Sequence, residues 1–336
     1  MNRSEAPGRS LCMATAYWVE TPGSGVLRDE PLRERGPGEV LVRTLHTGIS
    51  RGTESLVHRG GVPESERDRM RAPFQEGDFP GPVKYGYLNV GVVEQGPDGL
   101  TGRTVFTLFP HQSAFVVPAE AVVGVPDGVP ARRAVLAGAV ETAVNILWDA
   151  APLVGDRITV IGAGMIGCAV ARLARDIPGA DVTVVDVDAT RNSTCERLGV
   201  AFAAPHDAPA DRDLVIDTSG SAGGLQLAID SAAVEGEVIE ASWFGDRPVE
   251  LRLGGAFHSR RLTLRASQVG MVSPRRRGTR STRARLALAL ELLRDPSFDA
   301  LLTGESSWRE LPQVMSAIAS GAAPGLCHTI DWNDAR

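Results

Sequence analysis

The stretch at residues 157–186 constrains the fold of this chain more than any other. It reads RITVIGAGMIGCAVARLARDIPGADVTVVD: a β-branched run, a GxGxxG glycine turn, a helical pattern of small apolar residues, and a second apolar run that ends on an acid. A buried strand, a tight turn, a helix and a second strand in this order form a parallel βαβ unit. The stretch therefore predicts part of a doubly wound parallel α/β sheet.

Each glycine of the turn has its own mechanical role. Gly162 allows the tight turn, Gly164 lets the backbone approach a pyrophosphate, and Gly167 lets the helix pack closely on the strand. The helix begins near Met165 and Ile166, where free N–H groups and the positive end of the helix dipole face a phosphate. The turn predicts dinucleotide binding; the alternative is a βαβ unit with a glycine turn and no ligand.

The residues after the second strand bear on the choice of cofactor. Asp186 is placed to accept hydrogen bonds from the ribose hydroxyls of an adenosine. Its charge would repel the 2′-phosphate of NADP, so NAD is the expected cofactor. Arg191 follows on the chain and can pair with a phosphate, which keeps NADP as the less favoured alternative.

Composition limits the partners and the compartment. The formal net charge of −6 does not favour a nucleic acid or an anionic membrane as a partner. No run approaches the length of about 18 apolar residues that a membrane helix needs. The four cysteines are scattered, which argues against a disulfide framework and a four-cysteine zinc lobe. A cytoplasmic protein without a signal peptide is expected, with residues 1–10 disordered.

The rest of the chain divides into a β-rich first part and an alternating α/β part. Short strands are predicted at residues 14–19, 39–44, 88–94, 104–107 and 113–118. They suggest a small β barrel or sandwich ahead of the nucleotide unit. A helix is predicted at 131–150, and helices and strands then alternate through 190–265. Helices at 284–294 and 311–320 and a strand at 326–330 follow.

Three segments ahead of the glycine turn carry a resemblance to a known family. The join VGVPDGVP at 123–130, the helix at 134–148 and VGDR at 154–157 resemble the medium-chain dehydrogenase/reductase superfamily. The resemblance implies a split GroES-like catalytic domain at residues 1–138 and 278–336, and a Rossmann domain at 139–277. It also implies an active-site cleft between the domains and a homo-oligomer.

The zinc ligands of that family are not matched here. Zinc-dependent members hold the metal with a cysteine, a Gly-His-Glu segment and a third ligand before the Rossmann domain. The corresponding segments read GISRGTE at 48–54, Gly-Tyr-Leu at 86–88 and Leu-Ala-Gly at 136–138. Ser, Tyr, Leu and Gly do not supply the ligands of a tetrahedral zinc site, and Glu141 is the acid nearest to the third segment. The chain therefore resembles a zinc-independent member, and more loosely the branch with an S-x-G-T-E segment that includes bacteriochlorophyllide hydroxyethyl dehydrogenases.

Four residues are candidates for the chemistry. Thr53 matches the Ser/Thr that relays the substrate proton in the zinc enzymes, and Tyr87 stands where a zinc-ligand histidine would be. Glu141 is expected to line the cleft from its helix, and His111 is a candidate because histidine is a common general acid and base. For Tyr87 the alternative is a core tyrosine with a satisfied hydroxyl, and for His111 it is a solvated loop residue. Glu54 is expected to bond its neighbours.

A run of arginines at 275–285 stands out in an acidic chain. It could meet an anionic substrate or a cofactor phosphate, but a solvated loop before a helix is the favoured interpretation.

The leading hypothesis is an NAD-dependent, zinc-independent oxidoreductase that interconverts a small-molecule alcohol with a ketone or aldehyde. A reductase of an activated C=C bond on the same fold is one alternative. A non-catalytic NAD(H)-binding scaffold protein is the other.

Overall fold

The structure is a computed structural model, and it describes residues 13–335. The expected disorder at residues 1–10 lies outside the described residues. The strands are β1 (Met13–Thr21), β2 (Ser24–Pro31), β3 (Glu39–Ile49), β4 (Glu76–Gly77), β5 (Val83–Lys84), β6 (Asn89–Gln95), β7 (Thr104–Thr107), β8 (Ala114–Pro118), β9 (Val122–Gly124), β10 (Arg157–Ile161), β11 (Asp181–Val185), β12 (Ala201–Ala203), β13 (Arg212–Asp217), β14 (Ala232–Glu240), β15 (Thr263–Ala266), β16 (Leu302–Ser307) and β17 (Cys327–Asp331).

Nine α-helices lie in the described range, and none of them is long and apolar enough to span a membrane. They are α1 (Thr53–His58), α2 (Ala131–Ala134), α3 (Ala137–Ala150), α4 (Met165–Ala174), α5 (Asn192–Leu198), α6 (Ala222–Ser231), α7 (Ala256–Ser259), α8 (Thr282–Leu292) and α9 (Leu311–Ala319).

One six-stranded sheet is parallel throughout, in the order β12-β11-β10-β13-β14-β15. This order is that of the Rossmann fold, in which strands are added first on one side of the first strand, β10, and then on its other side. Apolar residues of β10, β13 and β14 alternate between two faces: Val160 and Ile216 pack with α3 and α4, whereas Val215 and Val238 pack with α6. Helices thus cover both faces, which confirms the predicted doubly wound sheet.

The remaining strands form two further sheets of largely antiparallel strands. Four strands run in the order β2-β1-β5-β4, and seven run in the order β16-β17-β3-β6-β7-β9 with β8 paired to β3. Strand β17 pairs with β3, so the end of the chain returns to the β-rich first part. The predicted β-rich portion is confirmed; the limits at residues 138 and 278 stay a prediction.

Two sequence predictions about elements differ from the structure. The single helix predicted at 131–150 is two helices, α2 and α3, separated at Val135 and Leu136. Both of these side chains are fully buried, and Val135 packs against β3 at Gly48. Strand β2 is absent from the predictions, because its sequence SGVLRDEP is polar and half-exposed and forms a strand by pairing along β1.

Candidate active site

The glycine turn sits between β10 and α4, and its geometry requires glycine at two positions. Gly162 has φ of 98°, in the left-handed region. A Cβ on Gly167 would lie 1.9 Å from the carbonyl oxygen of Gly162. At Gly164 the opposite holds, because a Cβ there would meet nothing within 4 Å. The turn is therefore closed against the sheet and open where a ligand would approach the start of α4 at Met165.

The carboxylate of Asp186 lies directly beside this turn. Its Oδ2 accepts a hydrogen bond from the backbone N–H of Ala163 at 2.6 Å, and its Oδ1 accepts one from the N–H of Asp188 at 2.8 Å. Asp186 is half-buried. The two backbone donors hold the acid at the carboxyl edge of the sheet, which is where a ribose would meet it.

Arg51 and Arg191 lie close enough for the charge of one to act on the other. Arg191 pairs with Asp188 through an Nε–Oδ2 contact of 3.1 Å. Burial, and then the positive charge of Arg191, lower the pKa of Arg51. Within residues 13–335, Arg51 makes no hydrogen bond and no ion pair. An unpaired, half-buried guanidinium beside a second cation favours an anion. Sequence reasoning missed Arg51, although it stands in the segment that was compared with the zinc ligands.

Three hydroxyl groups come together where the β-rich part meets the parallel-sheet part. The Tyr87 hydroxyl lies close enough to the hydroxyls of Ser50 and Thr53 for both to act on its pKa. Its ring packs against two hydrophobic clusters, one around α3 and α4 and one in the β-rich part that contains Tyr17 and Trp332. Trp243, from the segment after β14, contacts the second of these clusters. Burial, and then the charge of Glu54, raise the pKa of Tyr87 to about 12, against the opposing effect of the two hydroxyls. Tyr87 is thus a neutral hydrogen-bond donor near pH 7.

Beneath the hydroxyl cluster lies a buried acid–histidine pair. Glu54 Oε1 accepts the backbone N–H of Ser50 at 2.8 Å, and Oε2 lies 2.8 Å from His111 Nε2. His111 Nδ1 lies 2.7 Å from the hydroxyl of Thr47, which also accepts the indole N–H of Trp332. The side chain of His111 is only 1% exposed. The interpretation of His111 as a solvated loop residue is wrong; it positions Glu54, which in turn orients Ser50.

Glu141 is part of a different contact. Its Oε1 lies 3.0 Å from Nε of Arg285 on α8, and both side chains are buried. Arg285 also donates to the carbonyl of Val269 and to Asn145. Burial raises the pKa of Glu141, partly offset by the charge of Arg285. These contacts tie α3, α8 and the loop after β15 together, and none of them reaches Thr53 or Tyr87.

The positions that hold zinc in related folds do not fit that metal here. Ser50 and Tyr87 offer neutral hydroxyls, and Leu88 offers no ligand atom. Across residues 13–335, no three His, Cys, Asp or Glu side chains lie together in a way that could hold a metal ion.

Comparison with known sequences finds dehydrogenases. No protein-family model matches the chain. The 2-desacetyl-2-hydroxyethyl bacteriochlorophyllide A dehydrogenase of Cereibacter sphaeroides is 28% identical over 268 residues, which are 72% of this chain and 78% of that protein. The L-threonine 3-dehydrogenase of Streptomyces avermitilis is 30% identical over 206 residues, or 53% of this chain and 58% of the relative.

Solved structures superpose on almost the whole chain. L-idonate 5-dehydrogenase from Escherichia coli has a TM-score of 0.78 at 14% identity and covers 96% of this chain and 99% of its own. The chain has the fold of the medium-chain alcohol dehydrogenases. Two further solved structures share this fold. An E. coli alcohol dehydrogenase complexed with NADH has a TM-score of 0.75 at 15% identity and covers 95% of this chain and 99% of its own. A dehydrogenase of zinc-binding type from Sinorhizobium meliloti, bound to NADP, has a TM-score of 0.76 at 18% identity and the same coverage. The comparisons support the predicted class, an NAD(P)-dependent oxidoreductase.

Proposed function

We propose that this protein is an NAD(H)-dependent oxidoreductase that interconverts an alcohol with a ketone or aldehyde without zinc. The observation that carries the proposal is the hydroxyl cluster of Ser50, Thr53 and Tyr87, which lies where the β-rich part meets the dinucleotide-type sheet. Named dehydrogenases among the sequence relatives support the same reaction class.

The cofactor would be held by the turn and by charges from both parts of the chain. In this proposal its pyrophosphate lies on the open side of Gly164, at the start of α4, and meets Arg51 and Arg191. Its adenosine ribose meets Asp186, whose orientation by Ala163 and Asp188 favours NAD over NADP. When bound, the nicotinamide supplies or accepts the hydride.

The protein's own contribution is a proton and its placement. A phenol with a pKa of about 12 keeps its proton at neutral pH, so Tyr87 donates a hydrogen bond to the carbonyl oxygen of the substrate. Ser50 and Thr53 orient the phenol, and their hydroxyls can pass a proton from solvent to Tyr87 after it has donated its own. Glu54 and His111, below them, keep Ser50 in position through a backbone hydrogen bond. Tyr87 takes the role of carbonyl polarisation that a metal has in the zinc enzymes of this fold.

The first experiment is a titration with NADH and with NADPH, followed by a carbonyl panel in the presence of a chelator. We expect tighter binding of NADH and consumption of NADH that produces an alcohol. Replacement Tyr87→Phe should lower kcat about 100-fold, the typical contribution of a general acid, with an unchanged dissociation constant for NADH.

Two controls make the outcome decisive. Tyr85→Phe removes a neighbouring buried phenol that makes no hydrogen bond with Ser50 or Thr53, so its kcat should stay near that of the parent protein. Metal analysis of the active preparation should find less than stoichiometric zinc. Activity that needs added zinc, or a Tyr87→Phe variant with full kcat, would contradict the proposal. If an unsaturated carbonyl substrate loses its C=C bond and keeps its C=O bond, the enoyl-reductase alternative would replace the proposal.

A further inference from the structure

A segment at residues 251–290 concentrates positive charge. It contains ten arginines and no aspartate or glutamate, in a chain with 41 acidic and 35 basic residues. Charge segregation on this scale leaves some arginines without a nearby carboxylate. Which arginines those are depends on the tertiary structure.

Most arginines of the segment have partners. Four form ion pairs with acids elsewhere: Arg252 with Asp230, Arg261 with Glu235, Arg265 with Glu237, and Arg285 with Glu141. Three others donate to backbone carbonyls: Arg260, Arg277 and Arg283. Among the described residues, the side chains of Arg275, Arg276 and Arg280 alone in this segment make no hydrogen bond and no ion pair.

Two of the three unpaired arginines line one pocket. Its volume is about 520 Å³, and its walls are Trp148 from the end of α3, Leu288 of α8, and Arg276, Thr279 and Arg280 from the loop between β15 and α8. No carboxylate lines it. Arg275, next in sequence, does not line the pocket. A pocket of this size accommodates a small molecule.

The chemistry of the walls selects a class of ligand. Two guanidinium groups without partners offer forked donors that match the oxygens of a phosphate. The indole ring of Trp148 and the side chain of Leu288 offer a flat apolar surface beside them. The Trp148 indole N–H, which has no acceptor in the described structure, is a further donor.

We propose that this pocket is a binding site for a small phosphorylated molecule with a flat apolar part. The phosphate contacts Arg276 and Arg280, and the flat part packs on Trp148 and Leu288. The site is separate from the glycine turn and does not depend on the proposed dehydrogenase activity. It gives a function to an arginine run for which the sequence alone favoured a solvated loop.

Isothermal titration of the full chain with phenyl phosphate, inorganic phosphate and phenol tests the site. We expect phenyl phosphate to bind with a dissociation constant of about 0.1 to 1 mM, phosphate more weakly, and phenol not measurably. Arg276→Ala and Arg280→Ala should each raise the dissociation constant of phenyl phosphate about tenfold, because each substitution removes one charge-assisted contact. Both side chains are exposed and unpaired, so the variants should fold normally.

Arg275→Ala is the matched control, since it removes the same charge from the same loop outside the pocket. The affinity of this variant for phenyl phosphate should stay within about twofold of that of the parent protein, as expected for a screened surface charge. An equal loss in Arg275→Ala would reduce the site to a diffuse basic field and overturn the proposal. So would the absence of saturable binding up to about 10 mM phenyl phosphate, or displacement by NADH that is unchanged in Arg276→Ala and Arg280→Ala, which would place the ligand at the glycine turn.

Discussion

Replacing Glu240 by glutamine should make the protein more stable in alkaline solution. Glu240 and Asp217 end the neighbouring strands β14 and β13 and are direct partners in the register. Asp217 Oδ1 accepts the backbone N–H of Ser219, and Glu240 Oε1 accepts that of Ser242. The other oxygens, Asp217 Oδ2 and Glu240 Oε2, are buried and have no hydrogen-bond partner, so we infer that the two carboxyl groups share a proton.

The size of the effect follows from the retained proton. Burial, and then the charge of Asp217, raise the pKa of Glu240 from its ordinary value of 4.5 to about 8. The folded protein keeps a proton that the unfolded chain has released, so this stabilisation is complete below pH 4.5 and is lost as the pH rises to about 8. At about 1.4 kcal/mol per pH unit, the full effect is about 5 kcal/mol. Because Glu240 is partly exposed, we expect about 2 kcal/mol.

Urea unfolding, followed by tryptophan fluorescence from about pH 5 to about pH 9, measures this directly. Over this pH range the free energy of unfolding should fall by about 2 kcal/mol more in the parent protein than in Glu240→Gln. The reason is that the glutamine amide of the variant donates to Asp217 and carries no charge at any pH. Glu250→Gln is the control, since Glu250 is exposed and makes no hydrogen bond or ion pair in the described structure. Parallel curves for the parent and Glu240→Gln would refute the shared proton.

Three further substitutions probe the site and its supports. Gly167→Ala should abolish measurable NADH binding and lower stability by about 1 to 3 kcal/mol, because the added methyl overlaps the carbonyl of Gly162; unchanged binding in a fluorescence titration would contradict this. Arg285→Met should cost about 3 to 5 kcal/mol of unfolding free energy by leaving Glu141 buried and unpaired, and a second change, Glu141→Met, should restore most of it. His111→Ala should cost about 2 to 4 kcal/mol in urea unfolding and lower kcat with little effect on NADH affinity, since its acid partner loses a buried hydrogen bond.

The dinucleotide-type sheet could be predicted because its signals are local. The β-branched run, the glycine turn and the small apolar helix face lie within one continuous stretch, residues 157–186. The spacing of Gly162 and Gly167 reflects a contact between residues five positions apart, so the sequence carries it directly. Strand β2 could not be predicted in this way, because its pairing with β1 and not its apolar pattern makes it a strand.

The candidate site was only partly accessible from the sequence. Thr53 and Tyr87 were found by comparison with a family pattern, and the structure brings them together with Ser50. Glu141 was selected in the same way, but its contacts run to Arg285, far along the chain. A pattern assigns a position on the fold, whereas the direction of a side chain depends on what packs around it.

The sequence by itself determined the class of fold, the place of the glycine turn and the residue types at the positions that hold zinc in related folds. The tertiary structure alone decided that His111 is buried against Glu54, that the charge of Arg191 acts on Arg51, and that Asp217 meets Glu240 across two strands. The physical reason is separation along the chain. Backbone patterns depend on neighbours a few residues apart, whereas the charge state of a buried group depends on partners that only the folded chain brings within hydrogen-bonding distance.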